Sequence, residues 1–525
     1  MARGGGTQAI MPRVRHFARR HWLFGVALAG AIAIRVLCML AFRPIMWFGG
    51  DSASYLSTAL RLTPDPSRVG GYGFLLFLLR PLHSFVVVAA GQHAMGLAIG
   101  VLVYLLARRY GLPGWAGTLA ALPVFFDAYQ LQLEQDVVPD ITFAFLVMVA
   151  VFLVLWWPAE RRLIPAAGAG LALGLAAIMW PVGLALLVVL VVALLIWVFT
   201  SGFQAGRAGR LAIVAAALVC GAVPVLGYAA WFDVHEHQFT LTRSDGVFLW
   251  SRTMSFANCA VIKPPADELI LCPPAGPRIA SSLYIWDGNS PLLRMPGGRF
   301  SARTNSLALN FALRAIAAQP GGYATAVGHD LLLSFYWNRP VHPDTGITDR
   351  YQFADAATAW VPASMGTSRG GTVASDQAAY NGGRPAATRA GHPFAAWLVD
   401  YQKWVYLRGT LLGLILLGGL SLLIVRFRRG AGVAALPWFC AVTTLAVPPL
   451  IADFDLRYLV PAVPLACLAA ALSFTPAQPC APAKRTWTTS PAATATLAAR
   501  PGSGDGTSTT SLPSESTSTA RPEST

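Results

Sequence analysis

Charge is what this 525-residue chain has least of: only 12% of its residues are Asp, Glu, Lys or Arg. A soluble globular protein averages about a quarter, so that class is excluded. There is no Walker loop, no glycine-rich dinucleotide turn and no zinc-protease motif, which argues against a nucleotide-driven pump and against use of nucleotide sugars inside the cell. Internal repeats are absent too. The first hydrophobic segment lacks a short core leading to an Ala-x-Ala site, so it reads as a retained helix, not a cleaved signal peptide. Outside the apolar runs and the C-terminal tail only Cys259 and Cys272 remain, while Cys38, Cys220, Cys440 and Cys467 read as buried thiols in helices.

Apolar residues are abundant instead. They make up 55% of the chain, the mean hydropathy is +0.54, and runs of the ~20 residues needed to cross a bilayer recur. The expectation is an all-α polytopic membrane protein of about ten transmembrane helices, over 22–42, 84–107, 113–129, 141–157, 163–179, 181–199, 211–231, 404–425, 433–451 and 457–474. The net charge of +15 is then topological, with no nucleic acid as partner. Arg3, Arg13, Arg15, Arg19 and Arg20 put the N-terminus in the cytoplasm, and Arg108-Arg109, Arg161-Arg162, Arg207 with Arg210, and Arg426 with Arg428-Arg429 repeat the bias in every second connection. Keeping that alternation makes 74–82, around Arg80-Pro81, a short interfacial helix ahead of a single span.

Five regions follow: a basic cytoplasmic N-terminus (1–21), an N-terminal transmembrane catalytic module (22–231), a mixed soluble extracytoplasmic domain (232–403), C-terminal transmembrane helices (404–475) and a disordered cytoplasmic tail (476–525) rich in Ser, Thr, Pro and Ala. The 232–400 stretch is nearly neutral, with thirteen Arg/Lys against twelve Asp/Glu. An oxidising location permits a Cys259–Cys272 disulfide. Residues 307–318 predict an amphipathic helix stopped by Gln319-Pro320-Gly321-Gly322, a second helix follows over 323–336, and 361–393 reads as a mobile loop.

The acidic residues are placed where chemistry is expected. Asp51 lies just beyond the first span in Phe48-Gly49-Gly50-Asp51-Ser52-Ala53-Ser54-Tyr55, and Glu134, Asp136 and Asp140 sit between two later spans, on the same outer side by the arginine rule. By contrast, His235-Glu236-His237 has no second ligand group at a metal-binding spacing and reads as a surface strand or loop, so no metal is assigned.

The run Gly50 to Tyr55, followed by Gly71-Tyr72-Gly73-Phe74-Leu75-Leu76-Phe77-Leu78, resembles the first external loop of GT-C superfamily glycosyltransferases. These multispanning enzymes use polyprenyl-phosphate sugars and include protein O-mannosyltransferases and lipid A aminoarabinose transferases. Phe126 to Glu134 with Asp140 resembles their second acidic loop, and Asp455-Leu456-Arg457-Tyr458-Leu459-Val460-Pro461 their last external loop. By architecture the resemblance covers 20–231 and 400–475. It departs after Glu134, where relatives have a His and lack Pro139 before the next acid.

The resemblance implies sugar transfer from a polyprenyl-phosphate donor to a hydroxyl acceptor on a protein, glycan or lipid at the outer face of the bilayer. Such a reaction needs a base for the acceptor proton and cations for the departing phosphate. Asp51 fits the base, as family members use an Asp at that position; its bland alternative is capping a helix that begins at Ser52. Glu134 and Asp136 could orient the acceptor or help hold a divalent cation, whereas Asp140 reads as an N-cap. Arg457, with Tyr55 and Asp455, is carried over as substrate-binding; Arg457 could equally pair with Asp455. Arg35 and Arg80 are further candidates for the donor phosphate; Arg35, inside the first span, must face a cavity or a partner or snorkel outward, and Arg80 better suits lipid head groups. A lipid-linked sugar flippase and a polysaccharide polymerase or ligase are the competing classes.

Overall fold

The computed structural model describes residues 10–158, 162–200, 207–356, 362–367, 370–427 and 431–475. The expected tail over 476–525 and the arginines at 3, 161, 428 and 429 lie outside them. Each of the ten expected spans falls on a helix: Ile10–Ala41, Phe85–Arg109, Gly114–Phe126, Asp140–Trp156, Leu163–Met179, Val182–Thr200, Arg207–Glu236, Gly409–Arg426, Ala435–Ile451 and Leu459–Ser473. The chain is therefore an all-α polytopic membrane protein. Seven of these segments are long and apolar enough to cross a bilayer, whereas Gly114–Phe126, Asp140–Trp156 and Leu163–Met179 fall short of the ~20 residues of a full crossing. Gly71–Leu82 is a fourth short apolar helix, where the sequence predicts a short one.

Small residues let the helices close on one another, as they must where lipid offers no hydrophobic drive for association. Leu163–Met179 crosses Arg207–Glu236 so tightly that a Cβ on Gly170 would stand 1.9 Å from the Ala217 carbonyl oxygen, and one on Gly174 2.1 Å from that of Gly221. Leu459–Ser473 is the central helix, packed against Phe85–Arg109, Gly114–Phe126, Asp140–Trp156, Gly409–Arg426 and Ala435–Ile451. Its apolar window is 78% buried, against 22–50% for the other six. The residues preceding it are thus delivered to the middle of one end of the bundle.

The described residues of 237–408 are mostly short helices, with one two-residue strand at Arg389–Ala390. Among the described residues the only sheet pairs Phe42–Arg43 with Arg389–Ala390, antiparallel. Asp245–Thr253, Ser281–Trp286 and Ala302–Ala318 pack around Trp250 and Phe311, and a Cys259–Cys272 disulfide spans 6.1 Å between Cα atoms. The two expected helices are present as Ala302–Ala318 and Pro320–Leu333. Inside the expected loop, Val373–Tyr380 forms a helix with a Thr372/Ser375 capping box, held to Gly49–Arg61 by Arg61 on Asp376 at 2.6 Å. His235 and Glu236 end a helix and do not lie on a strand.

Candidate active site

The helix carrying Asp51 starts at Gly49, whose φ of +55° is cheap only for glycine. Phe48 is the N-cap residue, with no side-chain cap; its N–H donates to Ser52 Oγ at 2.8 Å, and Ser52 donates to the Val137 carbonyl at 2.9 Å. Met46 runs beside the second acidic segment, its N–H on the Gln135 carbonyl at 2.9 Å and its carbonyl accepting from Val137 at 3.1 Å. These bonds bring the two acidic segments to one end of the bundle.

Asp51 is not a cap. Its Oδ2 accepts from Arg457 Nη1 at 2.8 Å and its Oδ1 from Arg68. Nor is Asp140 a cap: Pro139 holds that place, and the two Asp140 oxygens accept from Arg457 Nε and Nη2, both at 2.9 Å. Arg457 therefore pairs with Asp140 and Asp51 and not with Asp455, its planar fork on one carboxylate and its remaining nitrogen on the other. The guanidinium also lies 5.3 Å from the centre of the Phe48 ring. Asp140 is sealed, but 28% of the Asp51 side chain remains accessible.

That access opens on a cavity of about 670 Å³, lined by Asp51, Tyr55, Arg68, Arg350, Asp455 and Arg457 on its polar side. Trp180, Val182, Phe248, Pro448 and Ile451 contribute an apolar wall. Arg68 is set by its own loop, where Asp65 accepts from Ser54 at 2.6 Å and from the Ser67 N–H at 2.8 Å. Arg350 differs from the other two arginines: its side chain has no acidic partner among the described residues, and its buried Nε is unpaired. Burial raises the Asp51 carboxyl, but the charges of Arg68 and Arg457 more than offset it and lower the pKa to about 2. Asp455 goes the other way. Burial outweighs the opposing Arg457 charge and pushes it up to about 6.

Glu134, Asp136 and Arg35 do not line this cavity. Glu134 is fully buried and accepts from Arg35 Nη2 at 2.8 Å and Gln130 at 2.9 Å, with His93 at 2.8 Å. Arg35 Nη1 and Nη2 also donate to the carbonyls of Ala31, Val124 and Phe125, so its guanidinium ties helices together away from the cavity. Asp136 is 1% exposed and held by Gln132. Both carboxylates are thus sealed away from the cavity, Glu134 by partners on two other helices and Asp136 by a side chain of the segment it ends. Arg80 donates at 3.4 Å to the Leu60 carbonyl. Arg68 and Arg350 were missed by sequence reasoning; Arg68 could have been found as the one basic residue in the loop between 62 and 70, whereas Arg350 carries no local signal.

The cation question falls on Asp330, His342 and Asp453, whose ligand atoms lie within 4.8 Å of one another. Their lone pairs are engaged: Asp330 accepts from Arg252, and Asp453 accepts from the Ser282 N–H at 2.9 Å and pairs with His342 Nε2 at 2.8 Å. We read them as an ion-pair network and assign them no metal.

Residues 81–240 match the family model of dolichyl-phosphate-mannose-protein mannosyltransferases. The match fits the GT-C resemblance of the sequence; it includes Glu134, Asp136 and Asp140 but not Asp51 or Arg457. Among solved structures, the chain is similar to the oligosaccharyltransferase AglB of Archaeoglobus fulgidus in a form tethered to an acceptor peptide, with 13% identity and a TM-score of 0.40 over 87% of this chain and 50% of that one. A second structure of that protein, with an inhibitory peptide and a dolichol-phosphate, gives 13% and 0.38 over 87% and 50%. ArnT of Cupriavidus metallidurans bound to undecaprenyl phosphate gives 14% and 0.35 over 85% and 77%. The chain spans about half the length of the archaeal proteins. No curated protein sequence matches it.

Proposed function

We propose that the protein is a glycosyltransferase that takes a sugar from a polyprenyl-phosphate donor and passes it to a hydroxyl acceptor at the outer face of the membrane. The observation that carries this reading is a single carboxylate, Asp51, shared by two arginines at the wall of a cavity that is cationic on one side and apolar on the other. The apolar wall suits a prenyl chain, and Arg350, without an acidic partner among the described residues, suits its phosphate. The matched family supplies the donor class through its name; the arginine alternation supports the outer face.

In the proposed step the acceptor oxygen attacks the anomeric carbon, the bond from that carbon to the phosphate oxygen breaks, and polyprenyl phosphate leaves with the electron pair. The acceptor proton passes to a carboxylate. Asp51 at a pKa of about 2 is a weak base while both arginines hold it. A donor phosphate that draws Arg68 and Arg457 toward itself raises Asp51's basicity as it binds, so the base is strengthened only when there is a sugar to transfer. A second reading has Asp455 take the proton, favoured by its pKa of about 6, closer to the working range of a general base.

The test is transfer by the purified protein in lipid, with defined undecaprenyl-phosphate sugars as donors. Arg350→Ala should raise the donor KM about tenfold or more, the cost of losing a hydrogen bond to a charged group. An unchanged KM would remove Arg350 from the phosphate site, and no transfer from any polyprenyl-phosphate sugar would sink the reading.

A further inference from the structure

A second cleft, of about 720 Å³, lies behind the wall of the first. The segment 347–355 separates the two: Ile347 and Arg350 face the Asp51 cavity, whereas Asp349, Tyr351 and Gln352 face the cleft. The Tyr351 ring packs at 5.0 Å against Phe48, itself part of the first cavity. Tyr351 is 2% exposed, and its hydroxyl faces Asp455. Neither the Tyr351 hydroxyl nor Asp455 Oδ1 closes a well-formed hydrogen bond. Two buried polar groups thus meet at the partition off ideal geometry, and their remaining lone pairs are left for a guest.

The lining of the cleft selects the guest's chemistry. Tyr129 and Tyr406 supply partly exposed aromatic surface and Gln352 an exposed amide that both donates and accepts, whereas the Gln402 amide is already bonded both ways to the Phe353 backbone. Asp349 and Asp355 are balanced by Lys403 and Arg408. The balance gives no net pull on an anion such as a lipid phosphate, nor on a cation. Aromatic faces, two-way hydrogen bonding and neutrality suit a polyhydroxylated, uncharged ring. The volume lies within the range of sites that enclose small ligands.

We propose that this cleft is the acceptor site and that the acceptor is a neutral glycan, one hydroxyl of which enters between Tyr351 and Asp455. Tyr351 donates to that oxygen, and the hydroxyl donates to Asp455. The assignment of the glycan as acceptor rests on the transferase reading; its binding does not.

The experiment measures binding of fluorescently labelled neutral trisaccharides of gluco, manno and galacto configuration to the full chain in lipid nanodiscs, with a labelled Ser/Thr-rich peptide as competitor. Asp349 and Gln352 are solvent-exposed at the cleft, so the Asp349→Ala/Gln352→Ala double variant leaves the core intact. We expect saturable binding of at least one trisaccharide, weakened about tenfold or more in the double variant, with undecaprenyl-phosphate binding unchanged. Absence of saturable saccharide binding, saccharide binding indifferent to the double variant, or peptide binding that the double variant abolishes each overturns the proposal. Loss of undecaprenyl-phosphate binding from the wild-type protein would count against the transferase reading alone, leaving the trisaccharide result to decide the cleft.

Discussion

Replacing Asp51 with Asn separates chemistry from architecture at the shared carboxylate. The amide keeps the shape of the side chain and one acceptor oxygen but loses the charge and the ability to take a proton. Arg457 retains both bonds to Asp140, so the bundle end stays closed. The weakened contacts to Arg68 and Arg457 border a cavity, and solvent screening limits their worth to about 1–2 kcal/mol of stability. A lost general base removes about 10²–10⁴ in rate. The assay is transfer from an undecaprenyl-phosphate sugar by detergent-purified protein, normalised to monodisperse material. With a pKa of about 2, Asp51 stays ionised above about pH 4 in the donor-free protein, so an acid limb near pH 6 belongs to Asp455. Activity should rise through about pH 6 as Asp455 loses its proton, and Asp455→Asn should abolish that limb. Wild-type turnover by well-folded Asp51→Asn would refute Asp51 as the base and leave Asp455 in its place.

Asp140→Asn, in contrast, should lower thermal stability by about 3–5 kcal/mol, because it strips a buried guanidinium of its fork partner; a thermal melt matching wild type counts against the bridge. Gly174→Val forces a Cβ into the Gly221 carbonyl and should cost about 1–3 kcal/mol or more, read as a lower unfolding temperature in detergent. Non-reducing peptide mapping should recover Cys259 and Cys272 in one linked fragment, and reduction should destabilise the protein by about 2–4 kcal/mol. Reporters fused after Asp51, Glu134 or Thr345 should score as extracytoplasmic and those after Arg109 or Gly430 as cytoplasmic; a cytoplasmic Glu134 would end the outer-face site.

The helices were legible because a bilayer imposes a length, and apolar runs flanked by arginines announce it. Asp51 was legible for a related reason, a carboxylate just past a span. Asp140 was misread because an acid before an apolar run looks like a cap, while the cation that claims it stands at position 457. Glu134 was placed at the water because nothing local shows that Arg35 and His93, on two other helices, converge on it. The 237–408 region defeated periodicity for another reason: several of its helices, such as Cys259–Ile262 and Ser281–Trp286, are only four to six residues long. Helices so short are held by tertiary packing, not by a repeating apolar face.

Arg457 also has a meaning in time. As the chain is made, the carboxylates of Asp51 and Asp140 emerge hundreds of residues before the guanidinium that joins them, and the site has no bridge until the last described helix is in place. A chain stopped short of residue 457 carries the acids without their common partner. The bridge thus forms late in synthesis, only once residue 457 has been made.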